Sequence, residues 1–484
     1  MRTLIQSSLA SLILLSSGVV AQDSSDAVVR MPLQIGARIE MGRVQGSDTG
    51  QSVPYGQFLS QTEMNMTQEV LVGQRLDLKI GAGGVVYYTV PFATGAPSGN
   101  GAKFAPGIAQ AQAIYKLGSV SNPWGILKVG YFPYKYDPDA KNLGEYLFRG
   151  GAYPTYLTTG GWSITDNASA KLLGVGASFP LFNGAWKNDF LLTSEVSNVP
   201  TGDITPSYVT QVTAGPFQLG AGISFYHYFP VNPPSVEQPP VSANQYSVFD
   251  TLPAGTVIHY GNDSIVVKKG VQYVANGNDL QDPVTAVGGA QTSLSAYTPS
   301  STGTYTFKAI RTMARASFNI QKLFPMPMLN PEDLKIYSEI AVLGWQDYPG
   351  EYSDRWNRTP IMAGINLPTF QLLDVFSFEG EYLNTPNPDD EWGMENFEQP
   401  SYIGPVAGVE GGEYSSLFPN ASKAQWKWSF YASKKLTRGF SVVAQVASDH
   451  LRLPYTINAG TWTASPLTNS PSQWYYVIAI NYGI

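Results

Sequence analysis

The chain has 484 residues, no cysteine and a formal net charge of −7 at pH 7. The absence of cysteine excludes a disulfide scaffold, a thiolate metal site and a cysteine nucleophile. The modest acidic excess argues against a nucleic-acid partner. Charged residues make up 13% of the chain, about half the usual ~25%, while aromatic residues make up another 13%.

The first element in chain order is an N-terminal signal. Residues 1–21 begin with the charged Arg2, continue through an apolar stretch centred on 9–15 and end in small residues up to Ala21. This pattern is typical of a secretory signal peptide. A transmembrane anchor is the alternative, but the apolar run is short and interrupted by serines. We therefore expect export, with residues 22–484 as one domain.

Strands follow, recognisable by their alternation. In 33–42, "LQIGARIEMG", every odd residue is apolar and the even residues are Gln, Gly, Arg or Glu. A period of two is the signature of a strand. The pattern weakens at 58–71 and 204–214. The sixteen predicted strands are 33–42, 58–71, 75–90, 107–117, 125–133, 166–180, 186–198, 204–214, 216–229, 303–320, 334–347, 357–368, 373–384, 422–435, 439–452 and 473–484.

The connections between these strands alternate in length. The second and later even-numbered ones are mostly short, and some carry turn residues such as Asn183-Gly184. Most odd-numbered ones are long, including 134–165, 230–302 and 385–421. An even number of strands with short turns at one end and long loops at the other is typical of barrels in bacterial outer membranes.

The last predicted strand, "WYYVIAINYGI" at 474–484, runs to the end of the chain. In lipid an open sheet edge would leave backbone groups unpaired, so this strand is expected to pair with the first. In pattern and topology the whole mature chain resembles the bacterial porin-type outer-membrane family. Ile484 departs from the terminal aromatic residue usual there. The predicted fold is all-β, a closed antiparallel transmembrane barrel of about sixteen strands. A soluble secreted sandwich or propeller would not explain the alternating loop lengths.

The resemblance implies an outer-membrane channel for passive or weakly selective diffusion of small hydrophilic solutes. It also implies contact with outer-membrane lipid and lipopolysaccharide, handling by the barrel-assembly machinery, a homotrimer as one candidate assembly, and no cofactor. The alternative is a structural or surface-binding barrel with a plugged lumen. The long loop 230–302 favours that alternative and contains "TVIHYGNDSIVV", which predicts a hairpin around 261–263 on the outer surface.

No pattern of an enzyme stands out. The chain has three histidines, and Ser448, Asp449 and His450 are adjacent, which is not the geometry of a catalytic triad. The acidic loop 385–421 has side chains spaced as in a calcium-binding loop, but Trp392 stands where such a loop needs glycine. We therefore predict no enzyme and no metal site, and leave loose calcium binding by this loop open.

Charged residues at inward positions are the candidate pore lining. Their signs are nearly balanced, so the sequence predicts weak ion selectivity and leaves its sign open. In a ring of sixteen, strand ten faces strand two and strand five faces strand thirteen, which sets Arg315 against Glu63 and Lys128 against Glu379. The predicted pore-lining residues are Arg38, Glu63, Lys79, Lys128, Arg311, Arg315, Glu379, Glu381 and Lys427.

The third outer connection, 134–165, is long enough to need a structural role. The resemblance to general porins implies that it folds into the lumen. Asp137-Pro138 indicates a helix start and Gly150-Gly151 its end, so we expect a helix over 138–149. The alternative is an external loop that only caps the barrel. The predicted constriction residues are Asp137, Asp139, Glu145 and Arg149.

Overall fold

The computed structural model describes most of the strands and part of the loops. The described residues are 29–45, 58–87, 103–148, 170–194, 202–226, 228–229, 309–345, 355–384, 426–448, 452–457, 461–466 and 474–483, with six short strands between 246 and 293. The predicted signal peptide, Arg149 and Ile484 lie outside these ranges. Across them, no helix is both long and apolar enough to cross a bilayer.

Sixteen antiparallel strands form a closed barrel. They are β1 (Leu33–Val44), β2 (Phe58–Val72), β3 (Leu76–Tyr87), β4 (Lys103–Gly118), β5 (Pro123–Tyr134), β6 (Ala170–Leu181), β7 (Trp186–Ser194), β8 (Ile204–Ala214), β9 (Phe217–Tyr226), β10 (Ala309–Asn319), β11 (Lys335–Val342), β12 (Ile361–Asn366), β13 (Val375–Tyr382), β14 (Trp426–Thr437), β15 (Phe440–Ala447) and β16 (Tyr475–Gly483). Each pairs with its neighbours in the chain, and β1 closes on β16 from Gly36 opposite Gly483 to Val44 opposite Tyr475.

All sixteen strands predicted from the alternation are present, including the two weakest, at 58–72 and 204–214. Connections such as 73–75, 215–216 and 438–439 gather at one end of the barrel, which we call the short-turn end. The opposite, long-loop end carries the odd-numbered connections, beginning with the one between β1 and β2. The predicted alternation of lengths therefore sorts the two ends correctly.

The alternation also sorts the two faces of the wall. On β1, Ile35, Ile39 and Met41 are exposed on the outside, whereas Arg38 and Glu40 are buried on the inside. Aromatic pairs cover parts of the outer face, such as Tyr382 with Trp426 and Phe440 with Tyr482. The outer face is therefore an apolar surface of the kind that contacts lipid.

The apolar core of the molecule lies inside the barrel. It is built by inward side chains of β5, β7, β8 and β10 to β12 together with residues that follow β5, β11 and β13. The buried cluster comprises Phe132, Tyr134, Tyr136, Ala140, Leu143, Tyr146, Leu147, Leu191, Val209, Met313, Tyr337, Ala341, Leu343, Met362 and Leu383. A water-filled lumen alone would not need such a core, so part of the interior is packed as protein.

The predicted hairpin in the loop 230–302 is confirmed, since Val257–Tyr260 pairs antiparallel with Asp263–Val266. The structure adds a hairpin that the sequence reasoning did not anticipate, Arg452–Ile457 with Thr461–Pro466, in the last long connection.

The predicted helix over 138–149 is wrong for its described part, 138–148, which contains no helix. Gly144 and Glu145 have φ values of +85° and +59°, in the left-handed region, and a right-handed helix cannot pass through them. The backbone N–H groups of this stretch bind side chains of the barrel wall instead of carbonyls one turn earlier.

Candidate pore constriction

Residues 135–148, which we call the inward segment, cross the interior of the barrel. The segment leaves the long-loop end of β5 and makes hydrogen bonds and ion pairs to β10, β11 and β13. In a closed ring of sixteen strands β13 stands opposite β5. The expectation that this connection folds into the lumen therefore agrees with the contacts of its described part.

Glu379 of β13 is the anchor on the far wall. Its carboxylate accepts backbone N–H groups from Lys141 at 2.6 Å, and from Asn142 and Leu143 at 2.9 Å each. The hydroxyl of Tyr337 donates to the same carboxylate at 2.8 Å. Four donors thus converge on one buried carboxyl group, which holds the segment against the far wall.

Glu339 of β11 is a second anchor. It accepts the backbone N–H of Glu145 at 2.9 Å and of Tyr146 at 3.0 Å, and the hydroxyl of Tyr136 donates to it as well. A third wall carboxylate, Glu381, accepts the hydroxyl of Tyr146 at 2.6 Å. Wall carboxylates thus replace the backbone partners that a helix would have supplied.

Two ion pairs fix the first half of the segment. Arg315 of β10 lies 3.1 Å from Asp137, and Lys335 of β11 lies 2.6 Å from Asp139. Both aspartates are almost fully buried. Removing one partner of such a pair would leave an uncompensated charge inside the barrel.

Glu145 has a role inside the segment. Its carboxylate accepts the backbone N–H groups of Tyr136 at 3.0 Å and Asp137 at 2.8 Å, and it pairs with Lys135 at 3.3 Å. It therefore ties the two ends of the segment together.

Burial and the neighbouring Lys135 lower the pKa of Lys141 below its ordinary value of 10.5.

Glycines in the wall make room for the segment. A Cβ added at Gly222 would lie 2.8 Å from the side chain of Leu147, and one added at Gly364 would lie 2.4 Å from the ring of Tyr337. Side chains at these positions would push the segment or its supports out of place. The wall is therefore shaped to receive a filled interior on this side.

The other side of the interior is open at its short-turn end, next to the turn between β14 and β15. A cavity of about 480 Å³ lies at the seam between β1, β2, β15 and β16. Its lining includes Asn65, Thr67, Ser441 and Asn481. The interior thus has a packed side under the inward segment and a cavity at the short-turn end of the closing strands, beyond which inner side chains such as Arg38 and Glu40 are buried.

The predicted pore-lining residues that the structure describes all lie on the inner face, but most are buried in contacts. Arg38 donates to Asn481 at 3.0 Å and is 1% exposed. The guanidinium of Arg311 lies 3.9 Å from the ring centre of Tyr226. Glu63, Arg315, Glu379, Glu381 and Lys427 are also buried.

Two of the predicted pore-lining residues keep access to the interior space. Lys79 is 24% exposed and bridges Glu69 at 3.0 Å and Asp77 at 3.3 Å. Lys128 is half-buried on the inner face of β5. These lysines, unlike the buried anchors, lie where a passing solute would meet them.

The sequence predicts that basic and acidic side chains face each other across an empty lumen. The inward segment lies between them instead. Arg315, which the ring geometry sets against Glu63, pairs with Asp137 of the inward segment. Glu379, set against Lys128, accepts the backbone of the segment instead. The segment stands between the two walls, and its own groups neutralise the wall charges at short range.

Of the four predicted constriction residues, three lie in the inward segment and Arg149 is outside the described residues. Asp137, Asp139 and Glu145 are at most 5% exposed and serve as structural partners. The residues with more exposure on the segment are Pro138, Lys135, Lys141 and Phe148.

Sequence reasoning missed Tyr337 as a support of the segment and gave Glu339 no role in holding it. A signal for a filled interior was nonetheless present. Some inner positions of β8 to β12, such as Val209 and Met313, are apolar among polar neighbours, where a water-filled lumen would favour polar residues.

Most residues considered for catalysis or calcium binding are not among those that the structure describes. His227, Asp449 and His450 are not among the described residues, and neither is the acidic loop 385–421.

No protein-family model matches the sequence, and no curated protein matches it. Solved structures do align with it. A variant of Rhodopseudomonas blastica porin covers 94% of this chain and 100% of its own, with 8% identity and a TM-score of 0.40. A triple variant of the same porin covers the same shares with 7% identity and a TM-score of 0.41. The architecture described above rests on the strand pairing of this chain itself.

Proposed function

We propose that this protein is an outer-membrane channel through which small hydrophilic solutes diffuse, and that the inward segment narrows the channel. The observation that carries the proposal is a closed barrel with an apolar outer face and a divided interior. Such a barrel satisfies its backbone groups in lipid, and one of sixteen strands is wide enough to leave an aqueous lumen.

The route of the solute follows from the division of the interior. The inward segment and its apolar cluster occupy the side from β5 round to β13. The cavity between β1, β2, β15 and β16 leaves space on the other side. We propose that solutes pass between the exposed edge of the segment, at Pro138 and Lys141, and the polar wall of the closing strands.

A plugged barrel is the second candidate. It is favoured by the number of apolar side chains that the segment buries, since Leu143 and Leu147 are fully enclosed within the interior. In that case the outer loops would carry the function, and the segment would act as a fixed support of the barrel.

Liposome swelling separates the two candidates. Vesicles containing the purified, folded protein are placed in isotonic solutions of neutral sugars of increasing size. A channel gives swelling rates that fall steeply with sugar size, whereas a plugged barrel gives no swelling above protein-free vesicles. Heat-dependent mobility on a gel provides the control for folding in both cases.

Location and assembly are part of the same proposal. The apolar outer face supports contact with outer-membrane lipid, with lipopolysaccharide around the long-loop end and the short turns in the periplasm. Delivery by the barrel-assembly machinery and assembly into a homotrimer remain predictions. Fractionation with the outer membrane and cross-linking of the native protein would test them.

A further inference from the structure

The charge that a solute can reach inside the barrel differs from the sum of all inward-facing charges. Among the acids of the inward segment and its anchors, Asp137, Asp139, Glu145, Glu339 and Glu379 are all at most 5% exposed. Backbone N–H groups, tyrosine hydroxyls or basic side chains are directed at each of them. These carboxylates are compensated at short range and shielded from a solute in the open part of the lumen.

Three lysines on the inner face have no such compensation. Lys116 on β4, Lys128 on β5 and Lys187 on β7 make no ion pair or side-chain hydrogen bond within the described part of the chain. Lys116 and Lys128 are half-buried, and Lys187 is exposed. Their ammonium groups are therefore not neutralised by a partner among the described residues.

Strand register places two of these lysines side by side and the third at the same end of the barrel. Lys116 lies opposite Ile126, two residues before Lys128, so the two lysines are diagonal neighbours with Cα atoms about 7–8 Å apart. Lys116 is two residues from the short-turn end of β4, and Lys187 is the second residue of β7 at the same end. They form a basic area at the short-turn mouth of the barrel.

Few acids of the described residues lie near this area. Asp77 already shares Lys79 with Glu69, at 3.3 Å and 3.0 Å. Asp189 of β7 accepts the hydroxyl of Tyr134 at 2.9 Å. Asp189 thus offsets one of the three lysines, and the area keeps an excess of positive charge.

We propose that the lumen prefers anions and that Lys116 and Lys128 form its anion-coordinating site, with Lys187 at the rim drawing anions toward it. The class of solute is a small inorganic or carboxylate anion. Lone ammonium groups that face water attract such ions without the desolvation that opposes buried pairs. The inference rests on the proposed channel and gives it a sign of selectivity that the balanced totals leave open.

The test is the reversal potential of the channel in a planar bilayer under a KCl gradient. The wild-type protein is expected to give a chloride-to-potassium permeability ratio above one. Lys116→Gln combined with Lys128→Gln should lower this ratio by roughly two-fold, because two nearby charges are lost. Lys116→Arg with Lys128→Arg should retain the ratio, since the charges remain.

Lys322→Gln is the matched control. Lys322 is exposed in the turn between β10 and β11 and lies off the inner face, so its loss should leave the ratio unchanged. A wild-type channel without anion preference, or a ratio unaffected by the double Gln variant, would overturn the anion site and leave the channel standing. Folded protein that inserts and never conducts would overturn both.

Discussion

The carboxylate of Glu379 lies 2.9 Å from the backbone nitrogen of Asn142, which joins opposite walls of the barrel across 237 residues of sequence. The bond is buried, and two neighbouring N–H groups reach the same carboxylate. This contact turns a surface connection into part of the interior.

Glu379→Gln is expected to loosen the inward segment. The amide retains one acceptor oxygen but presents an NH₂ to donors, so the folded state should lose about 2–3 kcal/mol of unfolding free energy, the scale of hydrogen bonds to a charged group. Conductance should rise and become noisier in single-channel records. Lys322→Gln, at an exposed side chain in the turn between β10 and β11, should change neither. Unaltered channel noise in a stable Glu379→Gln variant would argue that the segment is held by other contacts.

Gly222→Val should displace the segment from the other side. Its Cβ would meet Leu147 at 2.8 Å and Met313 at 3.0 Å, and such overpacking costs about 1–3 kcal/mol. The neighbouring Ala221 is exposed on the outer face of the same strand, so Ala221→Val should be nearly neutral. Urea unfolding of both variants in vesicles measures the difference. Equal stabilities of the two variants would show that a side chain at position 222 does not disturb the segment.

The strands were predictable because their signal is local. The alternation at 33–42 already assigns Ile39 to the outside and Arg38 to the inside, as the structure has them. The course of the inward segment into the lumen could be predicted only by analogy with general porins. Its conformation was not, because the partners of Tyr146 and Asn142 come from strands about two hundred residues away. Asp137-Pro138 and Gly150-Gly151 fit a helix locally, and the wall carboxylates override that preference.

Substitutions on β15 test the assignment of its two faces. Ala444 lies in the middle of the strand on the outer face, and Ser441 lines the cavity on the inner face. Ala444→Arg should destabilise the folded protein by about 2–4 kcal/mol, as expected for a charge near the bilayer midplane. Ser441→Arg should cost much less, since its side chain can reach water. Equal losses on refolding into vesicles would mean that the faces are assigned incorrectly.

Acid should weaken the turn that carries Asp374. The backbone N–H of Lys435 donates to its carboxylate at 2.6 Å, and Lys434 lies at 3.3 Å, which together lower the pKa of Asp374 below its ordinary 3.8. A lowered pKa in the folded state stabilises the protein above the unfolded value and is lost as the pH falls through the folded value. Asp374→Asn should therefore reduce stability at neutral pH and flatten its fall below pH 3.8. Parallel stability curves for variant and wild type would rule out this contribution.

Single-channel conductance of the full protein and of a variant lacking residues 138–147 tests the central claim most directly. If the inward segment narrows an open lumen, the wild-type protein gives discrete conductance steps, and the deletion variant, shown to be folded by heat-dependent gel mobility, gives larger ones. Equal steps in the two proteins, or a wild-type barrel that inserts and does not conduct, would contradict the account.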